Sequence, residues 1–182
     1  GNIVTTNDNV TFTNAVTLSG NVDLDTGTGA GNILFSETIA AADFNLALDA
    51  GADGNVTLSK ALTAGGTVTV RDGAVQSYQA ITADSLTVVD ATTSVTFNEA
   101  LAIAGNVDID SGGTILLKKG LTTTADGTVA LDATGVTTIE ADGDISADGA
   151  VSFGAATAGT LTTAGNIVTT NDNVTFTNAV TL

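Results

Sequence analysis

One long segment occurs twice in this chain without a single change, and this identity limits what the chain can fold into. The sequence GNIVTTNDNVTFTNAVTL spans Gly1–Leu18 and returns at Gly165–Leu182. An identity of this length does not arise by chance. We therefore interpret residues 1–164 as one tandem repeat unit and residues 165–182 as the start of the next identical unit. Tandem units of this kind build solenoids, in which each repeat contacts only its neighbours.

A shorter phrase of three stretches recurs inside the unit, about every 20 residues. Examples of the first stretch are Asn9–Phe12 and Asn32–Phe35, of the second Ala15–Leu18, and of the third Asn21–Asp25. Apolar and polar residues alternate with period two in these stretches, and β-branched residues are frequent, which indicates short strands. The nearest approach to a helical pattern, Ile39–Asp43, is too short for a helix.

Three strands in each turn of about 20 residues predict an all-β fold, a triangular parallel β-helix or β-solenoid. We call each turn a rung and expect about eight rungs in the unit, with the chain beginning near the third strand of one rung and ending at the second strand of another. The competing architecture is a β-sandwich of immunoglobulin type. It has frequent turns but does not repeat one three-strand phrase, so the nested repeat favours the solenoid.

The alternation also predicts which side chains point into the core. The first face should bury Val10, Phe12, Ile33, Phe35, Val56, Leu58, Val95, Phe97, Ile115 and Leu117. The second face should bury Val16, Leu18, Leu62, Ile81, Leu101, Ile103 and Leu121. The third face should bury Val22, Leu24, Leu46, Leu48, Val68, Val70, Leu86, Val88, Val107, Ile109, Val129 and Leu131. The Phe positions suggest a bulky stack along one edge.

Composition argues against several functions. The chain has no His or Cys, and its four cations, Lys60, Arg71, Lys118 and Lys119, stand against 20 acidic residues for a net charge of -16. Nucleic acid is therefore a poor partner, and no apolar run suggests membrane insertion. His- or Cys-dependent nucleophiles and the usual zinc sites are excluded. The cations are the only candidates for a lyase, and paired carboxylates would suit a glycosidase. A near-identical unit repeated many times argues against a unique catalytic cleft, so we expect no enzyme.

The most informative polar feature is a set of aspartates that close the third strand of successive rungs. The set comprises Asp25, Asp49, Asp72, Asp90, Asp110 and Asp132. Glycine follows most of them closely, so one interpretation is that each Asp caps its own turn. The other is a weak column of Ca²⁺ sites. A shared cation would relieve repulsion of roughly 1 kcal/mol per pair. A further acidic cluster, Glu140–Asp144 with Asp148, is interpreted as an acidic corner. No other cofactor is expected.

Threonine is frequent on the predicted outer surface, and regularly spaced Thr pairs on a flat solenoid face can bind ice. The best-spaced pairs are Thr11 with Thr13, Thr67 with Thr69, and Thr175 with Thr177. The same columns hold Leu34 and Lys118, so the array is irregular. The β-propensity of Thr explains its frequency without an ice-binding role.

Two phrases carry a resemblance to a known family. Thr6–Phe12 (TNDNVTF) and Gly29–Phe35 (GAGNILF) resemble repeats of very large bacterial surface proteins of the filamentous haemagglutinin type. The resemblance implies a right-handed β-helix, export, and a location at the bacterial cell surface. The chain opens with Gly1 rather than Met, and we interpret it as an internal or processed segment.

We therefore expect a structural segment of a long extracellular bacterial fibre or adhesin that attaches cells to each other or to surfaces. Its expected partners are neighbouring repeats of the same chain or fibre, other fibres, and cell-surface glycans or proteins. The alternatives are a glycan-binding or glycan-cleaving β-helix, and a cation-rigidified or ice-binding solenoid.

Overall fold

The computed structural model describes residues 1–154 and 159–182, and within these ranges it contains 26 short strands and no helix. The strands, numbered along the chain, form three parallel sheets. The first sheet contains β2 (Val10–Phe12), β5 (Ile33–Phe35), β8 (Val56–Leu58), β11 (Val75–Tyr78), β14 (Ser94–Phe97), β17 (Thr114–Leu117), β20 (Val136–Ile139), β23 (Thr160–Thr163) and β26 (Ala179–Thr181). The second contains β3 (Val16–Thr17), β6 (Ile39–Ala42), β9 (Leu62–Ala64), β12 (Ile81–Ala83), β15 (Leu101–Ile103), β18 (Leu121–Thr123), β21 (Ile145–Ala147) and β24 (Ile167–Thr169). The third contains β1 (Asn2–Val4), β4 (Val22–Asp25), β7 (Leu46–Asp49), β10 (Thr67–Asp72), β13 (Ser85–Val88), β16 (Val107–Ser111), β19 (Val129–Ala133), β22 (Val151–Phe153) and β25 (Val174–Phe176).

Each strand pairs with the third strand after it, so three consecutive strands make one rung and the rungs stack into a solenoid. The predicted parallel β-solenoid is therefore confirmed. The rungs are somewhat longer than expected, at roughly 22 residues. Their length varies along the solenoid. In one of the shorter rungs Thr69 lies beside Thr87, and in one of the longer rungs Asp23 lies beside Ala47. The corners absorb most of this variation, and the register of the strands shifts at β-bulges between Val70 and Asp72 and between Ala40 and Ala42.

The core is a single apolar column enclosed by the three sheets. Every side chain predicted to point inward is either buried or packed against this core. The pattern is strict in the central rungs, where Val95 and Phe97 lie over Ile115 and Leu117. Burial of like residues one strand spacing apart is thus the main source of stability in this fold.

The aromatic residues stack in pairs rather than along one continuous edge. In the first sheet the rings of Phe12 and Phe35 lie 4.5 Å apart, and those of Tyr78 and Phe97 lie 5.4 Å apart. The first sheet interrupts these pairs with Leu58, which lies beside Phe35. A third pair, Phe153 with Phe176, lies in the third sheet at 5.4 Å.

The two copies of the repeated segment lie on different faces of the solenoid. In the first copy, β1, β2 and β3 belong to the third, first and second sheets. In the second copy, the equivalent β24, β25 and β26 belong to the second, third and first sheets. The expectation that the chain ends on a second-face strand is therefore wrong. The cause is the number of strands between the two copies. Two strands belong to the same sheet only when they are separated by a multiple of three, and β24 lies 23 strands after β1.

Candidate functional site at the aspartate corner

The predicted aspartates lie together along the corner that follows the third sheet. Asp25 is in register with Asp49, and Asp49 with Asp72. Further along the sheet, Asp110 is in register with Asp132. Asp90 follows β13 between these two groups, and its charge acts on both Asp72 and Asp110. The column inferred from the sequence is therefore formed over six consecutive rungs.

Several of these carboxylates cap their own turns, as the simpler interpretation predicted. Asp25 Oδ1 accepts the backbone N–H of Gly27 at 2.7 Å, and Asp49 Oδ1 accepts that of Gly51 at 3.1 Å. Both glycines have positive φ, +87° and +66°, a conformation that costs other residues energy. Asp72 caps differently, accepting the N–H of the next residue, Gly73. The Asp–x–Gly phrase is thus explained by local turn chemistry.

Crowding changes the ionisation of the later members of the column. Partial burial, followed by the charges of neighbouring aspartates, raises the pKa of Asp72 and of Asp110 above the ordinary value. The pKa of Asp132 is raised by the same two causes, burial again being the larger. Along this corner, which we call the strip, the ionised form of the aspartates is therefore destabilised. A cation that binds there would relieve the destabilisation.

One cation, Arg71, lies near Asp25 and Asp49 of the strip and forms an ion pair with Asp23. A β-bulge in β10 inserts Arg71 between Val70 and Asp72. The Arg71 guanidinium reaches back two rungs to Asp23, with Nη1–Oδ1 and Nη2–Oδ2 distances of 2.7 and 2.9 Å. This two-point contact lowers the pKa of the Asp23 carboxyl and raises the pKa of Arg71.

The remaining cations and acids also have identifiable places. Lys119 Nζ lies 2.7 Å from Asp142, and Lys118 donates to the side chain of Asn98. Lys60 lies between β8 and β9. In the acidic corner, Asp144 accepts the N–H of Asn166 at 2.7 Å and Asp148 accepts that of Asp126 at 2.9 Å. These acids link adjacent rungs.

Within residues 1–154 and 159–182, no group of three or more His, Cys, Asp or Glu side chains is placed to share one metal ion. The register of the strands places neighbouring aspartates of the column on adjacent strands, one strand spacing apart at the backbone. The Ca²⁺ interpretation at Asp25, Asp49, Asp72, Asp90, Asp110 and Asp132 therefore stays a prediction, with shared binding between neighbouring pairs as its geometry.

The threonines of the ice-binding alternative are placed unevenly. Thr11 lies beside Leu34 in the first sheet, as the sequence indicated. The Thr67 hydroxyl is hydrogen bonded to Ser85, and that of Thr177 donates to the carbonyl oxygens of Phe153 and Gly154. The outer side of the second sheet carries a shallow depression lined by small side chains, among them Thr82, Ala102 and Thr122.

Sequence reasoning missed a ladder of asparagines that joins the rungs. The Asn9 side-chain oxygen accepts both the backbone and side-chain N–H of Asn32, at 2.8 and 3.0 Å. Asn32 in turn accepts the backbone N–H of Asn55, whose side chain accepts that of Val75. The signal was present in the sequence, because Asn opens the first stretch of three successive rungs at one constant spacing.

A second missed feature lies inside the core. Gln76 and Tyr78 point inward from β11, and the Tyr78 hydroxyl donates to Gln76 Oε1 at 2.6 Å. Gln76 Nε2 donates to the Asp90 carbonyl at 3.1 Å, so this buried polar pair is satisfied. Burial raises the pKa of Tyr78 well above its ordinary value, so its hydroxyl stays protonated.

Comparison with protein-family models, with curated proteins and with solved structures found no match to this chain. The fold and the corner chemistry therefore define its class by themselves: a structural β-solenoid built from tandem rungs.

Proposed function

We propose that this chain is a structural segment of a long extracellular bacterial fibre or adhesin, which attaches cells to each other or to surfaces. The single observation that supports the proposal is the placement of the repeated segment. The second copy adds its three strands to the three existing sheets, β24 on β21, β25 on β22 and β26 on β23. An array of such units extends by strand addition along one axis, which makes a stiff rod.

The net charge of the chain is consistent with an exposed rod. The net charge of -16 keeps rods apart and disfavours binding to nucleic acid or to anionic membranes. No helix in residues 1–154 and 159–182 is long and apolar enough to cross a membrane.

The way several charged side chains are engaged supports the proposal of a non-catalytic role. Asp25, Asp49 and Asp72 cap turns, and Arg71 and Lys119 are held in ion pairs. Acid–base chemistry needs groups that are free to exchange protons with a substrate. Side chains engaged in this way suit a scaffold better than a catalyst.

Chains of one, two and three directly fused copies of residues 1–164 test the rod proposal. Each added unit contributes 23 strands, or seven and two-thirds rungs, and should lengthen the particle by about 37 Å at the usual strand spacing. Electron microscopy and small-angle X-ray scattering measure this length. The matched control is a two-unit chain with a flexible Gly/Ser linker between the units, which should bend at the joint. Direct fusions that look like beads on a string would overturn the proposal.

The extracellular part of the proposal has its own test. Antibody raised against residues 1–182 should label fibres on the outside of intact source cells in immunogold microscopy. Permeabilised cells provide the control for antibody access. Label found only after permeabilisation would overturn the surface location while leaving the rod proposal standing.

The aspartate column favours a second candidate, a fibre stiffened by divalent cations. Asp110 and Asp132 are in register and have raised pKa values, so a cation shared between them would lower the electrostatic cost. Millimolar Ca²⁺ should then raise the melting temperature more than Na⁺ of equal ionic strength, and chelator should reverse the difference. Equal effects of the two salts on the melting temperature would contradict this candidate function.

A further inference from the structure

The corner that leads into the second sheet carries charges of alternating sign. In five successive rungs, from β6 to β18, the residue two positions before the first buried residue of the strand is Glu37, Lys60, Gln79, Glu99 and Lys119. The strands that follow are paired in register, so these five residues form one column along the solenoid. We call this column the charged edge.

Three members of the charged edge are free to bind a partner. Glu37, Lys60 and Glu99 are exposed, and within residues 1–154 and 159–182 none of them lies in an ion pair. Lys119 differs from them, because its Nζ lies 2.7 Å from Asp142. Exposed ion pairs of this kind contribute little free energy, so Lys119 can exchange Asp142 for another carboxylate.

The outer face of the second sheet, beside the charged edge, carries small uncharged side chains. In the same five rungs the exposed residues at the centre of the strands are Ala40, Thr63, Thr82, Ala102 and Thr122, and they are paired in register. Ala102 lies between two threonines, and the shallow depression of this sheet lies there. A second flat surface can therefore approach the face closely.

We propose that this chain pairs side by side with a second copy of itself, second sheet against second sheet, with the two solenoid axes antiparallel. The two-fold axis runs along the strands and crosses the face at the rung of Gln79 and Thr82. The two charged edges then lie on the same side of the interface and face each other in opposite order. The occupant is a second copy because the charged edge is complementary to itself when it is reversed.

Reversal brings opposite charges together at every charged position. Lys60 faces Glu99 of the second copy and Glu37 faces Lys119, and the two-fold axis makes each pair occur twice. Gln79 lies at the axis and faces its own counterpart. A shift by one rung would instead oppose Glu37 to Glu99, or Lys60 to Lys119, depending on its direction. The order of the charges therefore selects one register.

The same two-fold operation fits the small side chains of the face together. Thr63 lies opposite Ala102 of the second copy, and Ala40 lies opposite Thr122, while Thr82 meets its own counterpart at the axis. Away from the axis, each threonine of these five rungs therefore packs on an alanine. Thr63 of one copy fills the depression at Ala102 of the other.

The interface is large enough for weak, specific pairing. Seven rungs overlap, from β3 to β21, and one side of a rung of roughly 22 residues is about 20 Å wide, which gives about 700 Å² per copy. This area is near the lower end for specific protein interfaces.

The far corner of the face opposes pairing. It carries the exposed residues Asp43, Asp84 and Asp126, and in the antiparallel pair it lies against the same corner of the second copy. Packed sheets lie about 10 Å apart, and the short aspartate side chains do not span this gap. Their repulsion lowers the affinity, whereas the longer Lys and Glu side chains of the charged edge reach each other.

The antiparallel direction bears on the proposed attachment of cells to each other. Fibres that project from two facing cells run in opposite directions, so their second-sheet faces can pair in this way. The partner in attachment would then be the same fibre on the facing cell. This consequence rests on the proposed function, whereas the pairing of isolated chains does not.

Analytical ultracentrifugation of the complete chain from micromolar to millimolar concentration tests the pairing. We expect a monomer of 17.8 kDa in equilibrium with a dimer of twice that mass. A chain that stays monomeric at every concentration would overturn the proposal. The fused-unit and immunogold experiments would be unaffected, because neither depends on contact between the second-sheet faces.

The variant Glu99→Lys separates specific pairing from general repulsion between chains. It makes the net charge of -16 less negative by two units, yet it opposes two cations, at positions 60 and 99. We expect it to weaken the dimer by about tenfold. The matched control Asp53→Lys makes the same charge change at the exposed corner between the third and first sheets, and should pair at least as well as the parent. Equal affinities of the two variants would overturn the proposal.

A mixture of two variants tests the register. Lys60→Glu alone opposes two acids, at positions 60 and 99, and should also weaken the dimer. When Lys60→Glu chains meet Glu99→Lys chains, these positions again carry opposite signs, so the mixed dimer should bind severalfold more tightly than either variant binds itself. Circular dichroism establishes that both variants melt like the parent. Absence of any preference for the mixed dimer would reject this register.

Cysteine cross-linking tests the direction of pairing independently of charge. The chain has no Cys, so a single introduced thiol reports on one position. Thr82→Cys lies at the axis and should cross-link to its counterpart through a short bismaleimide. The matched control Ala40→Cys should not, because it lies four rungs, about 19 Å, from its counterpart along the axis. Parallel copies would bring both positions beside their counterparts, so equal cross-linking of the two variants would overturn the antiparallel arrangement.

Discussion

At the scale of single residues, the buried pair Gln76–Tyr78 departs most from the apolar core. Gln76 lies between Val56 and Val95 in the first sheet, and its amide ties the strand to the corner at Asp90. The Tyr78 hydroxyl donates a hydrogen bond to the Gln76 side-chain oxygen. The pair therefore links the core side of β11 to the backbone at Asp90.

Tyr78→Phe should lower the free energy of unfolding by about 1–3 kcal/mol, because it leaves the Gln76 oxygen buried without a donor. The double variant Gln76→Leu/Tyr78→Phe should recover part of this loss, since both polar partners are then removed. Urea denaturation followed by circular dichroism measures both. A double variant less stable than Tyr78→Phe alone would contradict the role assigned to the pair.

Asp110→Asn should raise stability by up to about 1 kcal/mol at neutral pH, because it removes repulsion from Asp108 and Asp132. Asp43→Asn is the matched control, with the same charge change at an exposed site outside the column. Thermal melting at low ionic strength compares the two variants. An increase for Asp43→Asn as large as that for Asp110→Asn would mean that net charge, rather than the column, sets the effect.

The same residues predict the pH dependence of stability. The folded pKa values of Asp72, Asp110 and Asp132 are raised, so their stabilising contribution is complete below the unfolded pKa and is lost as pH rises through the folded pKa. Mild acidification from neutral pH toward these pKa values should therefore raise the melting temperature. Asp110→Asn should flatten this rise, and a parent chain that loses stability throughout that interval would contradict the assignment.

At the scale of elements, strands are too short to be stable alone, and the corners set their register. Most strands have three or four residues, so each relies on its neighbours in adjacent rungs. The asparagine ladder adds a side-chain hydrogen bond at the start of the strand, where the sheet ladder has not yet begun. From Asn9 to Val75 it thereby helps to keep one rung aligned on the next.

Asn32→Ala should cost about 1–2 kcal/mol, because the Asn55 N–H loses its acceptor and the Asn9 side-chain oxygen keeps only the backbone N–H of residue 32 as a donor. Asn32→Asp keeps the acceptor for Asn55 and serves as the comparison. Hydrogen exchange of the Asn55 amide should accelerate in Asn32→Ala and change less in Asn32→Asp. Unchanged exchange in Asn32→Ala would show that the ladder does not hold the rungs.

At the scale of the whole molecule, the fold is nearly one-dimensional, because each strand pairs only with strands of the adjacent rungs. Val107 lies beside Val129, so residues 107–128 make one complete rung. Deleting them joins Asn106 to Val129 and recreates the local sequence Asn–Val.

Deletion of residues 107–128 should give a folded chain with a cooperative melt, shorter by about 4.8 Å. Deletion of residues 107–117 is the control, because removing half a rung turns the following strands onto the wrong faces. Circular dichroism and X-ray scattering compare the two. Equal stability of the two deletions would contradict the stacking of whole rungs.

The sequence by itself determined the class of fold and the core. Period-two alternation and a recurring three-strand phrase require strands, and like positions must stack, so Val95 over Ile115 follows from the pattern. It also determined the aspartate column, because Asp25 and Asp49 occupy equivalent positions of the phrase. Strand β11 escaped prediction because inward Gln76 and Tyr78 break the apolar alternation, and β6 because its short alanines give little pattern.

Only the tertiary structure decided the features that depend on counting strands across the whole chain. The face on which Gly165–Leu182 lies is set by the offset of 23 strands between the two copies, and corners of different length conceal that count in the sequence. The contacts of Arg71 with Asp23 and of Tyr78 with Gln76 were likewise hidden. Each contact depends on the direction in which a side chain points. The bulge in β10 sets this direction for Arg71, and the short rung sets it for Tyr78.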